Sequence, residues 1–372
     1  MEYISSYIRK TTIYEDYYVQ PDSVSIKSPQ KAKNLIYIYL ESMETTYASK
    51  SDGGAQAETN YIPKLTELAK ENISFSSSEK LGGFCGVSGT TWTMGSLFAT
   101  TAGVPFSFPI SGNAMEGREN FASGITALGD ILEQQGYKQE FLCGSDGNFA
   151  GRKNYFVQHG NYEVFDIYSA RKEGYIPEDY FVWWGYEDLH LYEIAKHRLT
   201  ELAKDKNQPF NFTMLTVDTH HIDGYVCENC PSIYENQLGN VLLCADSQIC
   251  EFIKWCEKQP FYEDTVIIIT GDHPRMDTTL VSETEYLERT IYNCFINTDK
   301  NAEQLNLKNR VFTAMDIFPT VLSALNFEIE GDKLGLGTDM FSGKQTLAEK
   351  IGIATLQGEI NKYSKYYIDN FS

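Results

Sequence analysis

The chain has 372 residues, with 31 basic and 51 acidic side chains, a net charge of −20 and a pI near 4.7. So acidic a surface repels a polyanion, which excludes a general nucleic-acid binder. With 42% hydrophobic and 13% aromatic residues the chain can bury a large core, which excludes wholesale disorder; its length suits two domains or one large α/β domain.

Residues 1–33 read as an arm, with Tyr14, Tyr17 and Tyr18, two prolines and no sustained apolar period. The core begins at Asn34–Leu40, a nearly continuous β-branched and aromatic run of the kind buried on both faces of a parallel sheet. Pro63–Asn72 has helical spacing with proline at its start. A helix over Ile125–Gln135 precedes a short strand at Phe141–Cys143. Glu187–Ala203 is an amphipathic helix, Phe210–Val217 a strand, and Asn236–Glu257 a further helix. Thr265–Thr270 is a second fully buried strand, running into Gly271-Asp272-His273. Residues 331–372 form a Gly-rich turn and a closing segment. Alternating strands and helices predict a three-layer α/β/α sandwich around a mostly parallel mixed sheet spanning residues 34–330. Runs such as Val266–Ile269 stop far short of the roughly 18–20 residues that cross a bilayer, and Met1 does not open a secretory signal.

Cys227-Glu-Asn-Cys230 is the one CxxC among eight cysteines. A zinc ribbon would need a second close pair, whereas Cys244, Cys250 and Cys256 stand six apart. A local disulfide in an oxidising compartment is the expectation, with the other cysteines as small buried hydrophobes.

Ligands of open α/β sheets bind beyond the carboxyl ends of the strands. Three polar clusters fall there: Glu41, the Asp218/His220/His221 group, and Asp272-His273. Singly each reads as a cap or a turn. Together they offer two carboxylates and an imidazole to one cation, a donor set for Mn²⁺, Mg²⁺ or Zn²⁺. The fourth feature is the Gly- and hydroxyl-rich segment from Gly82 to Thr93, which runs into a helical stretch. Its Ser and Thr residues can cap that helix. Alternatively, Thr93 in the first turn sits where the helix dipole favours an alkoxide or phosphate, and metal coordination would make its hydroxyl a nucleophile. His159, His190 and His197 are read as structural, two of them with no acidic partner at ligand spacing. His220 and His221, as neighbours on an extended segment, would point opposite ways, so one of them faces the site. Trp183-Trp184-Gly185 reads as a core or pocket wall, or as a platform for a sugar ring.

Asn34-Leu-Ile-Tyr-Ile-Tyr-Leu-Glu-Ser-Met-Glu44, Gly89-Thr-Thr-Trp-Thr93, Asp218-Thr-His-His-Ile-Asp-Gly224, Thr270-Gly-Asp-His273 and Leu334-Gly-Leu-Gly337 together resemble the bacterial phosphoglycerol transferases. That group includes the membrane-oligosaccharide glycerophosphotransferases and the lipoteichoic acid synthases, within the sulfatase/alkaline phosphatase superfamily. The resemblance implies an alkaline phosphatase/sulfatase-like fold and one divalent ion, Mn²⁺ before Mg²⁺ or Zn²⁺. Glu41, Thr93, Asp272 and His273 match the metal-ligand positions, and Thr93 also matches the nucleophile, with Thr90 and Thr91 as near misses. His220 and Arg152 match substrate-binding positions; a guanidinium can fork onto phosphate oxygens, although a surface ion pair is the plainer reading of Arg152. Cys143 stands where lipoteichoic acid synthases carry a substrate-site histidine, which disfavours poly(glycerol phosphate) synthesis. The sulfatase Cys/Ser-x-Pro-x-Arg pattern is absent around Cys85, which disfavours formylglycine chemistry.

The implied reaction moves glycerol phosphate from phosphatidylglycerol to a glycan hydroxyl through a phospho-threonine. The implied setting is extracytoplasmic, the chain being a catalytic domain without its membrane anchor. Phosphoethanolamine transfer, hydrolysis by a phosphodiesterase or phosphatase, and an inactive glycan- or lipid-binding module are the alternatives.

Overall fold

The computed structural model describes residues 10–108, 112–118, 120–281 and 284–371; residues 1–9 of the expected arm lie outside them. The elements that build the body are, in chain order, β1 Asn34–Leu40, α1 Pro63–Glu71, α2 Thr93–Ala102, α3 Leu128–Gln134, β2 Lys138–Cys143, α4 Arg152–Gln158, β3 Glu163–Phe165, α5 Asp188–Leu202, β4 Phe210–Leu215, α6 Gln237–Cys256, β5 Thr265–Gly271, β6 Asn293–Ile296 and α7 Ala314–Ala324.

These strands form one six-stranded sheet in the order β3-β2-β4-β1-β5-β6. All neighbours are parallel except β5 and β6. β1 lies at the centre, and its two-residue period divides the core. Leu35, Tyr37 and Tyr39 join one apolar cluster with residues of α2, α3, α4 and α7. Ile36, Ile38 and Leu40 join the other with α1, α5 and α6. The mostly parallel sheet is therefore covered on both faces, which is why its central strands β1 and β5 read as nearly unbroken apolar runs. Each fully buried aliphatic side chain here contributes roughly 1.5–3 kcal/mol.

The helix expected over Ile125–Gln135 starts later, at Leu128, because the Asp130 carboxylate accepts the Ala127 N–H and ends the preceding loop there. The residues before the sheet are more firmly packed than an arm. Ile13 and Tyr14 are buried, Tyr14 meets Tyr367 edge-to-face at 5.2 Å, and Ile26 pairs with Ile329. The closing segment carries three short helices, and its Leu347, Leu356 and Tyr367 belong to the same apolar cluster as α2.

The Leu334-Gly-Leu-Gly337 motif supports α2 rather than the site. Gly103 ends that helix with a left-handed φ of 69°, and its carbonyl accepts the Leu336 N–H at 2.7 Å. A Cβ on Gly335 would stand 2.5 Å from that carbonyl oxygen, so only glycine allows the approach. Tyr39 Oη and Thr100 Oγ1, 2.8 Å apart, tie the same helix to β1. Among the described residues no helix is long and apolar enough to cross a membrane.

Candidate active site

Strand order decides what converges. β2, β4, β1 and β5 are consecutive in the sheet, and their carboxyl ends deliver Ser145, the 216–221 turn, Glu41 and Asp272-His273 to one edge. The N-terminus of α2 lies across that edge and brings Thr93. A Cβ on Gly271 would sit 2.0 Å from the Met43 carbonyl oxygen. That close approach lets Asp272 reach the loop after β1.

Four side chains meet there. Thr93 Oγ1 lies 3.5 Å from Glu41 Oε2 and 3.4 Å from His273 Nε2. His273 Nε2 lies 3.6 Å from Glu41 Oε1 and 3.3 Å from Asp272 Oδ2. Glu41, Asp272 and His273 are each at most 2% exposed. Tetrahedral corners stand about 1.63 bond lengths apart, so bonds of about 2.1 Å to a divalent ion require donor separations of about 3.4 Å. The chemistry of the set agrees. Asp272 Oδ1 accepts the Ser42 and His273 N–H groups at 2.7 Å, whereas Oδ2 is buried without a hydrogen-bond partner. His273 Nδ1 faces the Pro274 carbonyl at 2.9 Å, which commits its proton there and leaves the Nε2 lone pair for the cluster. These residues therefore fit a divalent cation.

The charge balance agrees too. Burial and the neighbouring Glu41 charge push Asp272 up to about 7. Burial would raise Glu41 as well, but His273, His220 and the Ser42 hydroxyl outweigh it and hold Glu41 below its ordinary value. Burial would lower His273, but Asp272 and Glu41 raise it above its ordinary value. Three buried groups share protons where a cation would neutralise them together.

A cavity of about 280 Å³ opens from this cluster and includes Thr93, Arg152, Trp184, His220 and His221 in its lining. A larger cleft of about 740 Å³ lies at the opposite, amino-terminal ends of the strands, around Asn34, Phe210 and Asp264, and gathers no comparable donors. Arg152 is 5% exposed, and its guanidinium bonds the Ser145 hydroxyl at 3.0 Å and the Asp146 carbonyl at 2.7 Å. Among the described residues no carboxylate pairs with it, which removes the surface ion-pair reading. Thr90 closes its own turn through the Val87 carbonyl and Thr91 faces the Tyr286 hydroxyl, whereas Thr93 meets the donors.

Several sequence expectations are corrected. His220 and His221 both line the cavity, with rings stacked at 4.3 Å, because they lie in a turn closed by His220 N–H to the Val217 carbonyl and not in an extended strand. Asp218 turns away from the donors. Its carboxylate accepts the Asp188 N–H, and Asp188 accepts the Val217 and Asp218 N–H groups. His159 and His190 do have acidic partners, Asp130 at 2.9 Å and Glu187 at 2.8 Å. The disulfide expected between Cys227 and Cys230 is not formed; their sulfurs are 3.6 Å apart. Trp184, by contrast, lines the cavity as the wall expected, packed edge-on against His220 at 4.9 Å.

Sequence reasoning missed Ser42, whose hydroxyl donates to Glu41 Oε1 at 2.7 Å and whose N–H fixes Asp272. It also missed Arg275, fully buried, which bonds both Asp277 carboxylate oxygens and the Thr219 carbonyl and so locks the histidine turn to the loop after β5. Neither role carries a local signal, since the contacts that join loops, Ser42 to Asp272 and Arg275 to Thr219, link segments remote in sequence.

The sequence profile of the Sulfatase family matches residues 33–327. Phosphoglycerol transferase I of Escherichia coli (strain SMS-3-5 / SECEC) is 31% identical over 343 residues, covering 90% of this chain and 42% of that protein. The chain therefore spans less than half the length of such relatives. Among solved structures, the lipoteichoic acid synthase LtaP of Listeria monocytogenes superposes with a TM-score of 0.64 at 21% identity, covering 89% of this chain and 81% of that one. The soluble domain of lipooligosaccharide phosphoethanolamine transferase A of Neisseria meningitidis superposes with a TM-score of 0.54 at 14% identity, covering 84% and 93%. These two likenesses establish the shared fold.

Proposed function

The chain belongs to the sulfatase family, and on that premise we propose that it transfers glycerol phosphate from phosphatidylglycerol to a glycan hydroxyl, through a covalent intermediate on Thr93. The observation that carries the reading is the gathering of Glu41, Thr93, Asp272 and His273 around one point. Glu41, Thr93, Asp272 and His273 would hold a divalent cation, which we assign as Mn²⁺ and which when bound would lower the pKa of the hydroxyl and offset phosphate charge.

Thr93 Oγ attacks phosphorus in line. The Oγ–P bond forms, the P–O bond to diacylglycerol breaks, and the threonine proton ends on the diacylglycerol oxygen. In the second half a glycan oxygen bonds phosphorus, the Oγ–P bond breaks, and the glycan proton returns to Thr93. Arg152 is pre-set by Ser145 and Asp146 to hold phosphate oxygens. The first turn of α2 turns its free N–H groups toward the same charge. His220 Nδ1 is committed to the His221 carbonyl at 2.7 Å, which leaves Nε2 to carry protons for the incoming and leaving oxygens. Phe149, Trp184 and Met276 border the cavity and stay 43%, 41% and 63% exposed, an apolar rim suited to the glycerolipid below its headgroup. The setting we infer is the outer face of a membrane.

The test is acid quenching of the chain with phosphatidylglycerol and Mn²⁺, followed by intact-mass and peptide analysis. A glycerophosphate increment on Thr93 is expected. A phosphoethanolamine increment formed only with phosphatidylethanolamine would move the donor assignment to that lipid. Turnover that releases glycerol phosphate to water even with glycans present would make the chain a hydrolase.

A further inference from the structure

Among the described residues outside the active site, one other set of potential metal donors closes on itself. Cys227 and Cys230 sit in the loop that follows the His220–His221 turn, and Cys244 sits on α6. Cys227 Sγ lies 3.6 Å from Cys230 Sγ and 3.6 Å from Cys244 Sγ, and all three sulfurs fall within 4.8 Å of one another. Cys227 and Cys244 are 5% and 4% exposed, and Cys230 is half-buried.

The spacing selects the chemistry. A disulfide would draw two sulfurs to about 2.05 Å and leave the third aside. Zinc–thiolate bonds of about 2.3 Å at tetrahedral angles put sulfurs about 3.8 Å apart. In an iron–sulfur cluster at most two cysteines share one iron, so three sulfurs mutually within 4.8 Å do not suit it. The backbone N–H groups of Asn229 and Cys230 also face Cys227 Sγ, as donors that support a thiolate.

A fourth donor is at hand. Gln248, one helical turn beyond Cys244, lays its amide over the cluster, with Nε2 3.4 Å from Cys227 Sγ and 3.2 Å from Cys244 Sγ. Its Oε1 is buried without a hydrogen-bond partner. A half-turn of the amide brings that oxygen to the sulfurs.

We propose that Cys227, Cys230 and Cys244, completed by Gln248, form a second metal site that takes a thiophilic divalent cation, Zn²⁺. Three thiols lose their protons as the ion binds. The site clips the loop carrying His220 to α6, so its role is positional. It stands independently of the reaction assigned to Thr93.

The chain, purified and then stripped with a chelator under reducing conditions, is titrated with Co²⁺ and followed by absorption. A thiolate-to-cobalt charge-transfer band in the near ultraviolet is expected, bleached by Zn²⁺ and untouched by Mn²⁺. Cys230→Ser, at the most exposed of the three, should weaken Co²⁺ binding about tenfold or more and dim the band, and Gln248→Ala should weaken binding while leaving the band. In wild type, Zn²⁺ should protect the three thiols from alkylation, a readout that needs no variant to fold. The proposal is overturned if no such band forms, if alkylation proceeds equally with and without Zn²⁺, or if protein purified with zinc and without reductant carries a disulfide among the three.

Discussion

Thr93 Oγ1 and His273 Nε2 lie 3.4 Å apart although 180 residues separate them in the chain. The contact exists because the first turn of α2 crosses the carboxyl end of β5, and a hydroxyl placed there meets an imidazole whose other nitrogen is already committed to Pro274. Thr93→Ala should therefore reduce headgroup release by about 10³-fold or more while leaving the thermal midpoint near that of wild type. Retained turnover would remove Thr93 as nucleophile.

Mn²⁺ affinity should depend on pH with a definite sign. Asp272, held up to about 7 by burial and by the Glu41 charge, must lose its proton before it can serve as a ligand. Affinity should rise with pH through that value and fall about tenfold per pH unit below it, for one proton displaced. Asp272→Asn should abolish both the binding and the rise in thermal midpoint that saturating Mn²⁺ gives wild type, about 2.7 kcal/mol at a hundredfold excess over Kd. Calorimetric titration from pH 5 to 8 checks the slope; a flat profile would refute it.

Arg152 should act on substrate more than on folding. Its guanidinium is held by Ser145 and Asp146 and meets no carboxylate among the described residues. Arg152→Ala should cost about 2–3 kcal/mol in kcat/KM, and Arg152→Lys should restore only part of it, because an ammonium cannot fork onto two phosphate oxygens. Steady-state kinetics on phosphatidylglycerol in mixed micelles provides the comparison. Equal activity of the three proteins would place Arg152 outside the binding machinery.

Gly271→Ala tests how the sheet builds the site. The new methyl would press to within 2.0 Å of the Met43 carbonyl oxygen and part the loops that carry Glu41 and Asp272. A loss of about 1–3 kcal/mol in stability is expected, with Mn²⁺ binding weakened beyond what that loss explains. Urea unfolding with and without Mn²⁺ separates the two effects, and unchanged metal affinity would mean that the loops tolerate separation.

The strands and helices were legible one by one because their signals are local. Leu35–Leu40 and Val266–Ile269 are aliphatic or aromatic at every position, since a central parallel strand is covered on both faces, and the proline at Pro63 marks the start of its helix. Placement at strand ends likewise marked Glu41 and Asp272-His273, because strand-end loops are where such sheets bind ligands, but it marked Asp218 equally, and Thr93, at a helix start, joined the ligand set only through the family resemblance.

Convergence belonged to the tertiary structure. That Glu41, Thr93, Asp272 and His273 share one point follows from the strand order β2-β4-β1-β5 and the lay of α2, which no periodicity encodes. The same holds for His220 and His221, stacked together by a turn where an extended segment would have split them, and for Cys244, which reaches Cys227 only because α6 packs beside the loop. A side chain's neighbours along the chain are set by backbone geometry. Its neighbours across the fold are set by which apolar faces must be buried together, and that is decided only when all of them pack at once.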